Sequence, residues 1–486
     1  MAQQSSSIAF HDDFTHSHGG SCFFVAVDPN FASDVTEAAT LISRSRPEAE
    51  RQPYIAQLAS AAQAAQPPAP EQPEVADEDE VEGEKKVVES DETREAKRKV
   101  VAQLLASTHA VRLEATDKEF EGFSNLVLSL VLALFPAEHA DFASHVLALA
   151  DAITFSADRT ANPSLSARYA SLATLFNSLP STLHSLRLTT FLKLVAYAAQ
   201  NDDFAVIAPA LAQFESWLLD WGFGPGSHGE EEGNAAVSQV AEALISKGKQ
   251  TEARTLLVSH LSSPSAVKGQ ASTPSASASK LASTLIALSL AVPDVYDFTA
   301  LSPSATPAVA SPSVPALAQL LQIFQSGDLA AFSSFDFSAV SQVSTGVVLD
   351  KEQLEKKLKL VKLAELCSER VGQTVGYGEI AQALGLNPSS EDEGEEVETW
   401  VIDAIRASLL TGRLSQPTQS LSITRALPRS FTASHWSLVQ TRLESWRASL
   451  DSILSSTEKG LGVRAERGEG VGASEVVGQQ EEQVQA

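Results

Sequence analysis

The chain has 486 residues, 43% of them hydrophobic but only 6% aromatic, and its 35 Lys and Arg against 61 Asp and Glu give a formal charge of −26. That length holds two or three domains with real cores, and a mix dominated by Ala, Leu and Ser suits helix packing better than a β-sandwich. So acidic a surface repels phosphates and lipid headgroups within a Debye length, which makes the whole molecule a poor non-specific binder of nucleic acid or membrane unless a local basic patch overrides it, and points to protein partners.

Two cysteines, Cys22 and Cys367, lie far apart in sequence, so a reducing compartment is expected rather than a disulfide framework. The first residues, Met1-Ala2-Gln3-Gln4-Ser5, lack the basic and apolar regions of a signal peptide, and no run approaches the roughly 18 apolar residues of a membrane span. His11, His16, His18 and Cys22 lie close together beside Asp12 and Asp13, but their spacing matches no familiar zinc pattern. They read as surface residues, and neither metal nor cofactor is expected.

In chain order, residues 1–98 read as a variable, largely disordered acidic region. From about 66 to 98 Pro, Glu and Asp prevail and large apolar residues are scarce. The stretch before it, with Phe31 and an Ala-rich run near Ile55, has room for a short helix. From 99 onward the pattern is helical. Leu126, Leu130 and Leu134 share a face ahead of Pro136, and Leu172, Leu175, Phe176 and Leu179 precede Pro180. Leu188, Phe191, Leu192 and Val195 follow, then Ile207, Leu211, Phe214, Leu218 and Trp221 at helical spacing. Val237–Ile245 and Ala253–Leu261 flank Lys247-Gly248-Lys249, a turn short enough to force antiparallel packing. Successive short helix pairs of this kind predict a helical-repeat solenoid. The Ser/Pro/Ala runs at 262–279 and 302–315 read as linkers.

The texture changes near 350. A charged amphipathic helix over 351–370 carries Leu354, Leu358, Val361 and Leu366. A short segment, Tyr377–Leu384, follows, then an acidic loop and a helix over 397–410 with Val397, Trp400, Val401, Ile405 and Leu409 on one face. Two strands are expected near 413–416 and 420–426, the second with Leu421 and Ile423 alternating with polar residues. Helix, short helix, longer helix and hairpin is the order of a winged helix. Last, Trp436, Val439, Leu443, Trp446, Leu450 and Ile453 are spaced three, four, three, four, three, an a/d seam of about two and a half heptads. That seam is too short to be secure alone and predicts bundling with helices of other chains.

No motif of catalysis stands out: no Gly-x-Ser-x-Gly elbow, Walker loop or His-Glu-x-x-His occurs. Gly222-Phe223-Gly224-Pro225-Gly226 resembles a phosphate loop, but it follows a helix and lacks the Lys-Ser/Thr partner, so it reads as a connection. An enzyme is not expected. Nor is sequence-specific nucleic-acid binding, because Glu391, Asp392, Glu393, Glu395, Glu396 and Glu398 crowd the start of the helix that would meet phosphates. Arg413, Arg425 and Arg429 near the wing leave room for an edge contact with RNA.

A helical arm ending in a winged helix and a trailing helix resembles the PCI domain family, the scaffold subunits of the proteasome lid, the COP9 signalosome and translation initiation factor 3. The closer likeness is to the M-subunit branch of initiation factor 3. It rests on Arg168-Tyr169 through Leu179-Pro180, on Trp217-Leu218-Leu219-Asp220-Trp221, on Trp400-Val401-Ile402-Asp403-Ala404-Ile405-Arg406, and on Arg429-Ser430-Phe431 leading to Trp436. The resemblance implies a mostly α fold: N-terminal helical repeats over 99–205, a PCI domain over 206–428 (helical part 206–347, winged helix 348–428), a bundle-forming helix over 429–460 and a disordered tail over 461–486. It implies a cytoplasmic, non-catalytic scaffold that supports preinitiation complex assembly and mRNA recruitment on the small ribosomal subunit. Partners would be other subunits of that factor, reached through winged-helix edges and a C-terminal helix bundle. The contact residues would then be Trp436, Val439, Leu443, Trp446, Leu450 and Ile453, with Leu421 and Ile423 on the wing. A signalosome or lid subunit, and a winged-helix nucleic-acid-binding regulator, are the rival expectations.

Overall fold

A computed structural model describes residues 30–66, 91–108, 115–155, 164–262, 275–302, 306–337, 340, 346–386, 393–427 and 433–466. The chain divides into two compact units, Met1–Val295 with Ala300–Lys356, and Tyr296–Thr299 with Lys357–Ala486. The His11–Cys22 cluster, the acidic stretch 67–90 and Arg429 lie outside the described residues.

The first unit is helical among its described residues. Helix α1 (Phe31–Ser43) opens on Asn30, whose side chain caps the Ala32 amide, and buries Phe31, Val35, Ala38, Ala39 and Ile42. It packs on α2 (Glu48–Ala64), α3 (Asp91–Thr108) and α4 (Asp117–Leu134). Residues 31–64 are therefore two packed helices, more order than the short helix allowed for within a largely disordered 1–98. The apolar stripe of α1 has neighbouring faces to cover it, which composition alone does not reveal. Arg44, just after α1, donates two hydrogen bonds to Glu119 of α4, at 3.1 and 3.2 Å.

Helices α5 (Phe142–Thr154), α6 (Leu165–Ser178), α7 (His184–Asn201) and α8 (Phe204–Asp220) follow; α6, α7 and α8 bury most of the stripe their sequence spacing predicts, with Leu192 and Leu211 only half-buried. Arg168 of α6 is itself buried. Its guanidinium donates to the Ile153 and Phe155 carbonyls at 2.6 and 2.8 Å, satisfying acceptors that the end of α5 leaves open. Between α6, α7 and α8 an aromatic cluster forms. Phe191 stacks on Phe214 at 4.8 Å, Trp217 on Trp221 at 5.9 Å, and Arg187 covers Phe176 and Trp221 at 5.0 and 5.4 Å.

Helices α9 (Glu230–Ser246) and α10 (Gln250–Leu261) form the expected hairpin, with Gly248 at φ +74 in its turn. Helix α11 (Ala276–Ala291) begins inside the stretch expected to be linker, because Ser275 caps the Ala278 amide. Residues 302–315 are likewise only partly linker. The Pro307–Ala310 turn buries Ala308 and Val309 against α11, and the Thr306 hydroxyl donates to the Ala300 carbonyl at 2.7 Å. Helices α12 (Pro315–Ser326) and α13 (Leu329–Ser333) complete the unit.

The division between units falls within α14 (Lys351–Glu369). The second unit continues with β1 (Thr374–Gly376), α15 (Tyr377–Leu384), α16 (Glu393–Arg406), β2 (Leu410–Ser415) and β3 (Ser420–Ala426). The strands form one antiparallel sheet in the order β1-β3-β2. Three helices on a small sheet with a two-stranded wing is a winged helix. Its core joins Leu363, Cys367, Val375, Ile380, Val397 and Leu421. Two details differ from expectation. The short strand β1 has too few residues to show a period, and α16 stops at Arg406, where Ser408 takes φ +58. Leu409 thus enters the core from the bend before β2 and Leu410 from the strand itself, while Ile405 is left exposed. No described helix is long and apolar enough to cross a membrane.

Candidate protein-interaction site

The last element, α17 (Ala433–Glu466), is a helix of 34 residues. At a rise of 1.5 Å per residue it is about 50 Å long. It extends past 460 into the expected tail. Its sequence has good helix formers and no Pro, and Ser, Thr, Glu, Arg and Lys fill the positions between its apolar residues. From Trp436 to Lys459 the described side chains are exposed, except Arg442, which is half-buried.

The seam residues are where a soluble chain keeps few large apolar groups. Trp436 is 66% exposed, Trp446 67%, Leu450 60% and Ile453 61%, with Val439 and Leu443 exposed beside them. Spaced three and four apart on one helix, they make a continuous stripe of the kind that buries itself only against other helices. Leu454, 59% exposed and adjacent to Ile453, widens the stripe at its C-terminal end. Sequence reasoning missed it because it falls off the strict a/d spacing, although its place right after a d residue was a usable signal.

Leu421 and Ile423 do not belong to this surface. Both are buried in the winged-helix core. Strand β3 is the central strand, paired on one side with β1 and on the other with β2, and the period of two turns Leu421 and Ile423 inward while Ser422 and Thr424 face out. Their assignment as wing contacts is corrected: they hold the wing up from beneath. The sheet's open backbone edges lie on β1 and β2, and β2 carries an irregularity between Thr411 and Gly412.

The solvent face of α16, the helix that a nucleic-acid-binding winged helix would insert into a groove, carries exposed Glu395, Glu396, Ile402 and Ile405. Arg406, exposed in the last turn, is the one cation among the described residues of this helix, and carboxylates and isoleucines otherwise make a poor phosphate surface. Glu398 on the same helix accepts from the Tyr377 hydroxyl at 3.2 Å and from Gln416 at 2.8 Å, which ties α16 to α15 and to the β2–β3 turn. Arg413 and Arg425 are exposed on the wing.

No described group of His, Cys, Asp or Glu has the arrangement of a metal site. Cys367 is fully buried, and burial pushes its thiol up to about 11, so it packs as a small apolar group.

Comparison with known proteins bears on both parts of the second unit. Residues 344–425 match the PCI domain family, and residues 429–456 match the family described as eIF3 subunit M, C-terminal helix. The second match covers the whole exposed seam. Among curated proteins, eukaryotic translation initiation factor 3 subunit M of Aspergillus oryzae is 33% identical over 361 residues, spanning 73% of this chain and 73% of its own length. The subunit M of Aspergillus clavatus is 33% identical over 387 residues, 78% of this chain and 76% of its own. That of Chaetomium globosum is 25% identical over 367 residues, 76% and 82%. With a helical arm, a winged helix and an open terminal helix matched in one continuous order, the chain belongs to the family of eukaryotic translation initiation factor 3 subunit M.

Proposed function

We propose that this protein is a non-catalytic scaffold subunit of the translation initiation factor 3 complex. It supports preinitiation complex assembly and mRNA recruitment on the small ribosomal subunit, in the cytoplasm. The observation that carries the proposal is the exposed seam of α17. Fully burying a large apolar side chain gains about 1.5–3 kcal/mol, so six of them set a ceiling of roughly 9–18 kcal/mol, and the seam residues, already partly covered, bring on the order of 10 kcal/mol. Association itself costs roughly 4–15 kcal/mol. The seam alone is thus near break-even, and stable assembly calls for several helices at once or a second contact such as the open β2 edge.

Relatives named as initiation factor 3 subunits over about three quarters of the chain favour this reading over a signalosome or lid subunit. The acidic, isoleucine-bearing face of α16 favours it over a nucleic-acid-binding regulator. Affinity purification of the tagged full chain is expected to recover other subunits of initiation factor 3, and to lose them in the Trp446→Ala and Leu450→Asp variants. Recovery of proteasome-lid or signalosome subunits in their place would overturn the assignment.

A further inference from the structure

We infer that the helices covering the α17 seam carry carboxylates along both of their own flanks, so that the seam selects acidic amphipathic helices over a second copy of this chain. The inference rests on the docking role proposed above and names the partner's chemistry.

With the six seam residues at a and d, the positions bordering the seam are His435, Gln440, Arg442, Arg447, Ser449, Leu454 and Ser456. In a chain of charge −26 the only charges on these flanks, when His435 is neutral, are the two arginines. The carboxylates of the same stretch, Glu444, Asp451 and Glu458, all fall at b, on the back of the helix. From Trp436 to Ile453 the helix therefore sorts its charge, cationic beside the seam and anionic away from it; beyond the seam, Glu458 and Lys459 lie side by side on the back. Neither arginine forms an ion pair among the described residues, although Glu444 and Asp451 lie within three and four residues of Arg447. Arg447 is exposed and Arg442 half-buried, and neither guanidinium is committed to a carboxylate of this chain's described residues.

In coiled coils the residues at e and g set partner choice. A parallel, in-register pairing of two α17 helices places Arg442 at g opposite Arg447 at e of the second copy, and does so on both sides. Like charges then border both edges of the seam. An antiparallel pairing that overlaps all six layers places Arg442 opposite Ser449 and Arg447 opposite Gln440, with no charge pair gained. A helix with Glu or Asp at its own flanks meets a free guanidinium at each arginine and gains a bidentate-capable ion pair.

The test uses the full chain and two synthetic helical peptides with one shared Leu/Ile seam, one peptide bearing Glu at every e and g position and the other Lys. Binding is read by fluorescence anisotropy of the labelled peptide. The Glu-flanked peptide is expected to bind about tenfold more tightly in dilute salt, with the preference shrinking as salt is raised. The Arg442→Glu/Arg447→Glu double variant is expected to reverse the order. Equal affinity for both peptides, with binding still abolished by Leu450→Asp, overturns the charge selection and leaves the docking role standing. Binding of neither peptide by a chain that stays monomeric overturns both.

Discussion

The imidazole of His260 in α10 is held between Glu215 of α8, 3.0 Å from Nδ1, and Asn234 of α9, 2.9 Å from Nε2, with none of its side chain exposed. Asn234 in turn donates to Ser277 at 3.0 Å, while Ser275, the cap of α11, donates to Glu230 at 2.9 Å. One buried polar chain thus pins four successive helices of the arm. Truncation to His260→Ala leaves Glu215 and Asn234 facing a void without their partner, so a loss of about 2–4 kcal/mol is expected. Denaturant unfolding followed at the buried Trp217 and Trp221 checks it; a change under about 0.5 kcal/mol would show that water replaces the ring at no cost.

The burial of Leu421 and Ile423 gives a prediction opposite in kind to that for the seam. Leu421→Ala or Ile423→Ala is expected to cost about 2–4 kcal/mol, as for other large-to-small changes in a packed core. Hydrogen exchange over residues 360–427 should report the loosening directly. Unchanged protection would mean that these side chains are not core.

Seam variants should behave the other way. Trp446→Ala and Leu450→Asp remove exposed apolar surface, so the melting temperature of the isolated chain should stay put, within about 0.5 kcal/mol of stability. The variants should lose co-purifying subunits all the same. A large drop in stability of the isolated chain would instead place both residues inside its own core.

Gly412 of β2 pairs with Ile423 of β3, next to the register irregularity of the strand. A Cβ there would lie 2.6 Å from the Ser422 carbonyl oxygen and 3.0 Å from Leu421. Both neighbours are fixed, one by the sheet and one by the core, so Gly412→Ala is expected to cost about 1–3 kcal/mol through overpacking. Thermal melting with and without the substitution settles the sign.

The Arg44–Glu119 link between the end of α1 and α4 is sensitive to acid. Hydrogen bonds from Arg44, with further ones from Thr116, hold the Glu119 carboxyl down at about 2 from an ordinary 4.5. A carboxyl depressed on folding stabilises above its unfolded value and loses that contribution as pH falls through the folded one. The stability gap between the parent chain and Arg44→Ala should therefore narrow from about pH 5 to about pH 2. Both groups are solvent-exposed, so the gap itself should be small. A gap that widens on acidification would refute the link.

Much of the arm was legible because its signals are local. Leu172, Leu175 and Phe176 recur at helical spacing, Pro136 and Pro180 stop helices, and Gly248 supplies the left-handed turn of the α9–α10 hairpin. The seam from Trp436 to Ile453 was legible for the same reason. By contrast, β1 is three residues without a period, and α1 was hidden by the acidic composition of the stretch downstream. The polar chain through His260 joins residues up to 45 positions apart, which no spacing rule brings together.

The sequence by itself determined which faces of each helix and strand are apolar, since that follows from residue order and the period of the backbone. It did not determine which of those faces would be covered. Leu421 and Ile423 are the same residue types as Leu450 and Ile453, yet the first pair is sealed beneath a central strand and the second stands in solvent. Only the tertiary structure decided between them, because burial depends on whether another surface of this chain reaches the side chain.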